Sequence, residues 1–285
     1  FGSFPSCNNN CHPIRRTMAD IININSQDQY PAGVYEDMPF EEYNKIDAIR
    51  SHDLTSIIKD PYTWKYETKP DSEASFFVEG RLQHCLFLEP HVFDDEFVVA
   101  PNIDRRTKVG KEEYAEFMET SGTRTVITQA MYDECQARVE VLDALRPKEG
   151  DRTELTIVFD YYGHKCKSRL DMLSNNTIID LKTCRSASPR SFIQSVRSYG
   201  YYQQGAFYLT AGQCAGLDVD KFQFLAIQKA QPYPYVVYEL TPESIAYGVA
   251  QNQQAIDLMM HCKEHDIYTP YNLHNKVVPI ELHDL

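Results

Sequence analysis

The sequence predicts an α/β protein with a mixed central β-sheet flanked by helices. Three observations carry that expectation. The predicted elements run in the order helices, three strands, helices, two strands, helix. Two of the middle strands are joined by Asn175-Asn176 between apolar runs, which reads as a two-residue hairpin turn because Asn tolerates positive φ. The chain of 285 residues suffices for one sizeable core or two small ones. No run of it approaches the roughly eighteen apolar residues of a membrane span.

Taken in order, Phe40 to Arg50 and Ser51 to Lys59 are expected as short helices, with Ser51 and Asp53 as N-caps. Tyr62, Trp64 and Tyr66 alternate before a polar linker at Lys69 to Ser75. A helical stretch follows through Gly80 and His84 and ends near Glu89-Pro90, where proline stops it. Lys111 to Ser121 and Gln129 to Leu145 are expected as helices. Thr153 to Phe159, His164 to Leu173 and Thr177 to Thr183 are the three strands. Pro189 opens a helix with Ser188 as its N-cap, and a second helical stretch runs from Tyr199 to Ala211. Phe222 to Gln228 and Tyr235 to Leu240 are strands punctuated by Pro232 and Pro234. Pro242 opens a last helix to about His265.

Composition narrows the class. The N-terminus lacks a basic region followed by an apolar stretch, so no secretory signal is expected. Eight cysteines are scattered rather than clustered, which favours reduced thiols in a cytoplasm. Cys7, Cys11 and His12 suit a soft metal, yet no second ligand pair stands at matching spacing. Residues 1–17 read as a poorly ordered leader or remnant, with Met18-Ala19 as a natural start and 18–285 as a single domain. The net charge of −13 opposes non-specific adhesion to a polyanion, so nucleic-acid binding would need basic residues gathered locally. Arg105, Arg106, Lys108 and Lys111 make one cluster; Arg185, Arg190 and Arg197 make another.

The sharpest signal lies in three short segments: Glu154, Arg169-Leu170-Asp171 and Asp180-Leu181-Lys182. With Asn175-Asn176 as the turn, Ser174 faces Thr177, Leu173 faces Ile178, Met172 faces Ile179 and Asp171 faces Asp180. Side chains alternate along a strand, so Arg169, Asp171, Asp180 and Lys182 share one face. Opposed carboxylates repel unless something cationic lies between them, and hard oxygens suit Mg²⁺ or Mn²⁺. A turn at Tyr161-Tyr162 puts Glu154 opposite Arg169 on the same face; Gly163 would shift that register. The competing reading is a solvated polar face on an edge hairpin. Downstream, Gln204 and Tyr208 are four apart and share a helix face.

The set Gly80-x3-His84, Glu154, Asp171, Asp180-x-Lys182 and Gln204-x3-Tyr208 resembles, in its order, the RecB-like nucleases of the PD-(D/E)XK superfamily. Its nearer likeness is to the catalytic domain of RecE-type exonucleases (exodeoxyribonuclease VIII), from about Gly33 to Tyr208. Leu88-Glu89-Pro90, Val99-Ala100-Pro101 and Gly110-Lys111-Glu112-Glu113 also support it. The resemblance implies a single PD-(D/E)XK exonuclease domain over 18–285, in a bacterial or phage-infected cell. It implies one or two Mg²⁺ ions, with Mn²⁺ as substitute, held by His84, Glu154, Asp171, Asp180 and the Leu181 carbonyl. Lys182 would orient water, with Gln204 and Tyr208 supporting it. Arg169 would contact phosphate or simply pair with Glu154. Arg105, Arg106, Arg185, Arg190 and Arg197 would line a DNA channel in a homo-oligomeric ring, a tetramer favoured. The implied activity is 5′-to-3′ resection of linear double-stranded DNA for recombination beside a single-strand annealing protein. The alternatives are a Cas4-like or restriction-type nuclease and a non-catalytic DNA-binding recombination component.

Overall fold

The computed structural model describes residues 15–16, 29–68 and 74–270. Its main sheet has seven strands. In chain order they are β1 (Arg15–Arg16), β2 (Gly33–Tyr35), β5 (Arg152–Tyr161), β6 (His164–Ser174), β7 (Thr177–Cys184), β8 (Lys221–Gln228) and β9 (Tyr235–Glu239), and they lie side by side in that same order. The β1–β2 and β7–β8 pairs are parallel and the rest antiparallel, so the sheet is mixed as expected. A small parallel pair, β3 (Phe97–Val99) with β4 (Thr125–Ile127), stands apart from it.

Helices cover both faces. They are α1 (Phe40–Lys45), α2 (Ser51–Lys59), α3 (Pro61–Tyr66), α4 (Ser75–Leu88), α5 (Phe93–Glu96), α6 (Lys108–Ser121), α7 (Gln129–Val141), α8 (Pro189–Tyr199), α9 (Tyr201–Cys214) and α10 (Pro242–His265). Strand β8 shows why two layers form. Phe224 and Ala226 join a core with Leu54 of α2, Phe207 of α9 and Ile256 of α10. Leu225 and Ile227 join a second core with Leu82 of α4 and Val139 of α7. Alternate side chains of one apolar strand thus feed opposite cores, as a strand buried on both faces must.

The β6–β7 hairpin has the expected register, with Ser174, Leu173 and Met172 facing Thr177, Ile178 and Ile179. The β5–β6 hairpin does not turn at Tyr161-Tyr162. Tyr161 pairs with His164, and Tyr162 (φ 53°) and Gly163 (φ 77°) make the turn. Positive φ at both turn residues suits the twist of a two-residue hairpin, and Gly163 supplies it at no steric cost. Arg169 therefore faces Thr156, and Glu154 comes level with Asp171.

Other boundaries move for local reasons. Helix α1 stops at Lys45, because the buried Lys167 ammonium donates to the Tyr43 and Ile46 carbonyls at 2.8 and 2.7 Å. Ile49 then runs extended and bridges to Cys166 of β6. Arg50 rather than Ser51 is the N-cap of α2; Asp53 sits at the third helical position and accepts the Arg50 N–H at 3.0 Å. The aromatic alternation of Tyr62, Trp64 and Tyr66 is a helix, started by Pro61 and capped by Asp60, which accepts the Thr63 N–H at 3.2 Å. Helix α6 begins at Lys108, three residues early, because Thr107 caps it through the Gly110 N–H. Gly200, in the left-handed region at φ 69°, divides the stretch expected as one helix from Tyr199 and starts α9 at Tyr201. Ser188 does occupy the N-cap of α8, but its side chain makes no capping bond. Cys85, Cys135, Cys166, Cys184 and Cys262 are free thiols, whereas Cys214 is disulfide-bonded, a departure from thiols reduced throughout. Cys7, Cys11, His12, Met18, Ala19 and the greater part of the expected leader and linker lie outside the described residues.

Candidate active site

The site forms where regular pairing fails on both sides of Asp171. The β6–β7 ladder ends at Met172 and Ile179. Asp171 then does not ladder with Asp180; its Oδ2 accepts the Leu181 N–H at 2.8 Å. The carboxylate has taken the place of a strand carbonyl, which relieves a direct acid–acid opposition. On the other side, the β5–β6 ladder skips Glu154, which is held at φ 47°. A non-glycine residue in that region costs on the order of 1–3 kcal/mol and persists where its surroundings demand it. The two interruptions open a notch in the sheet lined by Glu154, Asp171 and Asp180.

Helices from both layers close on the notch. Helix α4 contributes His84, whose Nδ1 lies 3.6 Å from Asp171 Oδ2 and 3.8 Å from Glu154 Oε1. Helix α9 contributes Gln204, whose Nε2 donates to Asp180 Oδ1 at 2.8 Å, and Tyr208, which hydrogen-bonds Gln204 one turn on. Lys182 Nζ stands 2.7 Å from Asp180 Oδ2 and 4.9 Å from the centre of the Tyr201 ring. Arg169 pairs with Glu154 and also donates to the Met38 carbonyl at 2.6 Å.

The electrostatics follow from these contacts. Burial raises the Asp171 carboxyl to about 7, helped by the charges of Asp180 and Glu154 and opposed by His84 and Lys182. Burial alone would depress His84, but the Asp171 charge and the Glu154 contacts overcome it and lift the imidazole to about 9. Burial works against ionised Glu154 too, yet hydrogen bonds and charge from His84 and Arg169 bring it below the usual carboxylate range. Lys182 is partly buried, a cost outweighed by Asp180 and Asp171, so its ammonium is held above the ordinary lysine value. Burial puts the Tyr208 phenol well above its usual value, so it serves as a hydrogen-bonding group and not a base.

The donor set fits a hard divalent cation. Among the described residues, His84, Glu154 and Asp171 each offer one ligand atom, all within 4.8 Å of one another. Ligands about 2.1 Å from one ion lie at most about 4.2 Å apart, so a contraction of about half an ångström would close this trio. Asp180 stands beside the trio, held by Gln204 and Lys182. Its Oδ2 is buried against the Lys182 ammonium, 2.7 Å away.

The basic residues separate into two kinds. Arg169 is largely buried and spent on Glu154 and Met38, which favours the pairing over a direct phosphate contact. Arg106 is tied to Asp104 and Arg105 lies over the Tyr114 ring. Arg185, Arg190 and Arg197 are exposed, and none forms an ion pair among the described residues.

Two groups near the site carried no expectation. Tyr201 lies against Lys182, and only the aromatic density of the Tyr199–Tyr202 stretch hinted at it. Behind α4, Arg138 is fully buried and contacts Glu79 at 2.8 Å, Gln83 at 2.8 Å and the Lys229 carbonyl at 3.3 Å. Lys229 reaches the other Glu79 oxygen at 2.8 Å. Nothing local in the sequence marks that network.

Residues 63–271 match the family described as a PDDEXK-like domain of unknown function, DUF3799. Among solved structures, a protein from Eubacterium rectale named provisionally as an exonuclease superposes with a TM-score of 0.55. It is 14% identical and the match covers 86% of this chain and 94% of that one. A second, SSO0001, gives a TM-score of 0.31 at 18% identity over 65% of this chain and 86% of that one. No curated protein matches the chain. No helix among the described residues is long and apolar enough to cross a membrane.

Proposed function

Because the chain belongs to the PDDEXK-like family DUF3799, we propose that it is a divalent-metal-dependent nuclease whose substrate is linear double-stranded DNA. The observation that carries this is the convergence of Glu154, Asp171, Asp180 and Lys182 on one notch, with His84 brought in from α4. The expected ion is Mg²⁺, with Mn²⁺ as substitute. His84, Glu154 and Asp171 would hold it, and Asp180 Oδ2 and the Leu181 carbonyl would add ligands. When bound, it supplies Lewis-acid stabilisation of charge on the phosphate and a more acidic water.

The protein's own groups do the rest. Lys182 places a fixed positive charge beside the carboxylates, where it orients a water molecule and balances phosphate charge. Gln204 fixes the Asp180 carboxylate and thereby the position of Lys182. Tyr208 fixes Gln204. Arg169 neutralises one Glu154 oxygen and leaves the other toward His84, so that Glu154 presents a single ligand atom.

The finer reading is a 5′-to-3′ exonuclease leaving 3′ strands for annealing, working as a ring beside a single-strand annealing protein. The resemblance to RecE-type enzymes supports it, and so does the need of an acidic chain to concentrate Arg185, Arg190 and Arg197 around DNA. The test uses duplexes labelled at the 5′ or the 3′ end beside a closed circle, each in Mg²⁺, Mn²⁺ or chelator. Loss of the 5′ label from linear DNA in both metals, an intact circle and no cleavage in chelator are expected. Cutting of the circle would replace the exonuclease by a restriction-type enzyme. Absence of cleavage in either metal, with DNA still bound, would leave a non-catalytic DNA-binding component. Light scattering reads the ring directly.

A further inference from the structure

We infer that Tyr199 is a stacking platform for an unpaired nucleobase at the nucleic-acid end presented to Lys182, a subsite that rests on the nuclease reading above. Four observations place it. Tyr201 packs against Lys182, with the ammonium 4.9 Å from its ring centre. The Tyr199 ring lies 5.6 Å from that of Tyr201, at 30° between planes. Tyr201 is itself anchored on Phe224, 5.6 Å away. Tyr199 ends this aromatic run and is 61% exposed. A large flat ring is thus held open to solvent, with the Tyr201 ring as the common neighbour of it and the site's lysine.

The backbone fixes the platform. Gly200 joins α8 to α9 in the left-handed region. A Cβ there would meet Thr55 Cγ2 at 2.9 Å and Gln203 Oε1 at 3.0 Å. The two flanking tyrosines therefore hold their relation across a bend that only glycine fits. Helix α8 and the loop before it also carry Arg185, Arg190 and Arg197, exposed and without an ion pair among the described residues, whose charge suits nucleic-acid phosphates. An apolar protein partner would be a poor match for a helix that carries Arg190 and Arg197 on its exposed surface as well as Tyr199. Stacking on an aromatic ring is indifferent to base identity, since every base has a π-face. That suits an enzyme that meets any sequence at a DNA end.

The experiment compares wild type with Tyr199→Ala, Tyr199→Phe and Tyr199→Trp on duplexes whose terminal nucleotides are either normal or abasic. Equilibrium binding is measured in Ca²⁺, with 2-aminopurine near the end reporting stacking, and single-turnover cleavage is measured in Mg²⁺. Tyr199→Ala is expected to weaken binding of normal ends about 5- to 150-fold, with Phe and Trp restoring it. Abasic substitution should cost the wild type a similar factor and cost Tyr199→Ala almost nothing more. A Tyr199→Ala protein that binds normal ends like wild type would overturn the inference. So would an equal loss on normal and abasic ends, which marks a purely structural role. Absence of wild-type cleavage would strike the nuclease reading instead, while the binding arms still decide the stacking.

Discussion

Two clusters of buried charge sit on α4, five residues apart, and they are balanced in opposite ways. Around Glu79 one carboxylate meets two cations, Arg138 and Lys229, each at 2.8 Å. Burial opposes its ionisation, but Lys229 and Arg138 together hold it below the usual range. Around His84 three carboxylates meet two permanent cations, Arg169 and Lys182. Asp171 has the titratable His84 as its nearest cation, and burial with its acidic neighbours still raises it. The first cluster is closed by its own chain and fixes α4 against α7 and the loop after β8. The second depends on the His84 imidazole for its third positive charge. A charge matched by permanent partners serves the fold; one matched by a titratable partner marks the candidate site.

The two clusters should differ most at their carboxylates. Asp171→Asn and Asp180→Asn should each lower single-turnover cleavage on the order of 10³-fold, as expected for losing several kcal/mol of metal-assisted stabilisation. Asn keeps an oxygen for the Leu181 N–H, so the metal-free Asp171→Asn protein should melt at the wild-type temperature or above it. Clear destabilisation without metal would make Asp171 a structural acid like Glu79. Lys182→Ala should cost about 10²- to 10³-fold in cleavage with little change in DNA binding in Ca²⁺, and Lys182→Arg should not restore it.

The structural cluster should respond in the reverse sense. Arg138→Met leaves Glu79 half-paired and Gln83 without its donor, so unfolding free energy should fall by about 3 kcal/mol. Denaturant titration checks this. The metal-induced rise in melting temperature should survive in the variant if the two clusters are independent. Gln204→Ala removes support of Asp180 at one remove, and a loss of about 10- to 100-fold in metal affinity or cleavage is expected. Isothermal titration with Mn²⁺ separates the two. The smallest effect concerns the exposed cations. Each of Arg185→Ala, Arg190→Ala and Arg197→Ala should reduce the slope of log affinity against log salt by about 0.9 if it meets a phosphate. Arg106→Ala, whose charge Asp104 already holds, should change it less.

Much of the site was legible because its signals are local. The Asn175-Asn176 turn fixes the β6–β7 register, and that register carries Asp171, Asp180 and Lys182 into one place. Gln204 and Tyr208 follow from helical spacing. What stayed hidden depends on competition between neighbours or on distance along the chain. Tyr162-Gly163 outbids Tyr161-Tyr162 for one turn and brings Glu154 level with Asp171 instead of Arg169. The departure of Asp171 from its ladder is a response to a carboxylate that a strand template would have placed opposite it. Arg138 finds Gln83 and the Lys229 carbonyl across 55 and 91 residues, and no periodicity encodes such a meeting.

The Arg169–Met38 contact has a practical consequence for where this protein can be cut. The family match begins at residue 63, yet Met38, β2 and the Ile49 bridge all lie before it. A fragment trimmed to the match would strip the outer edge from β5 and leave its polar backbone open to intermolecular pairing. It would also remove the carbonyls that hold Lys167 and Arg169, so a residue bonded to Glu154 would lose its second anchor. The boundary of recognisable similarity is therefore not the boundary of the folding unit, and a truncation series is best begun upstream of Tyr30, which is itself buried and bonded to Glu42.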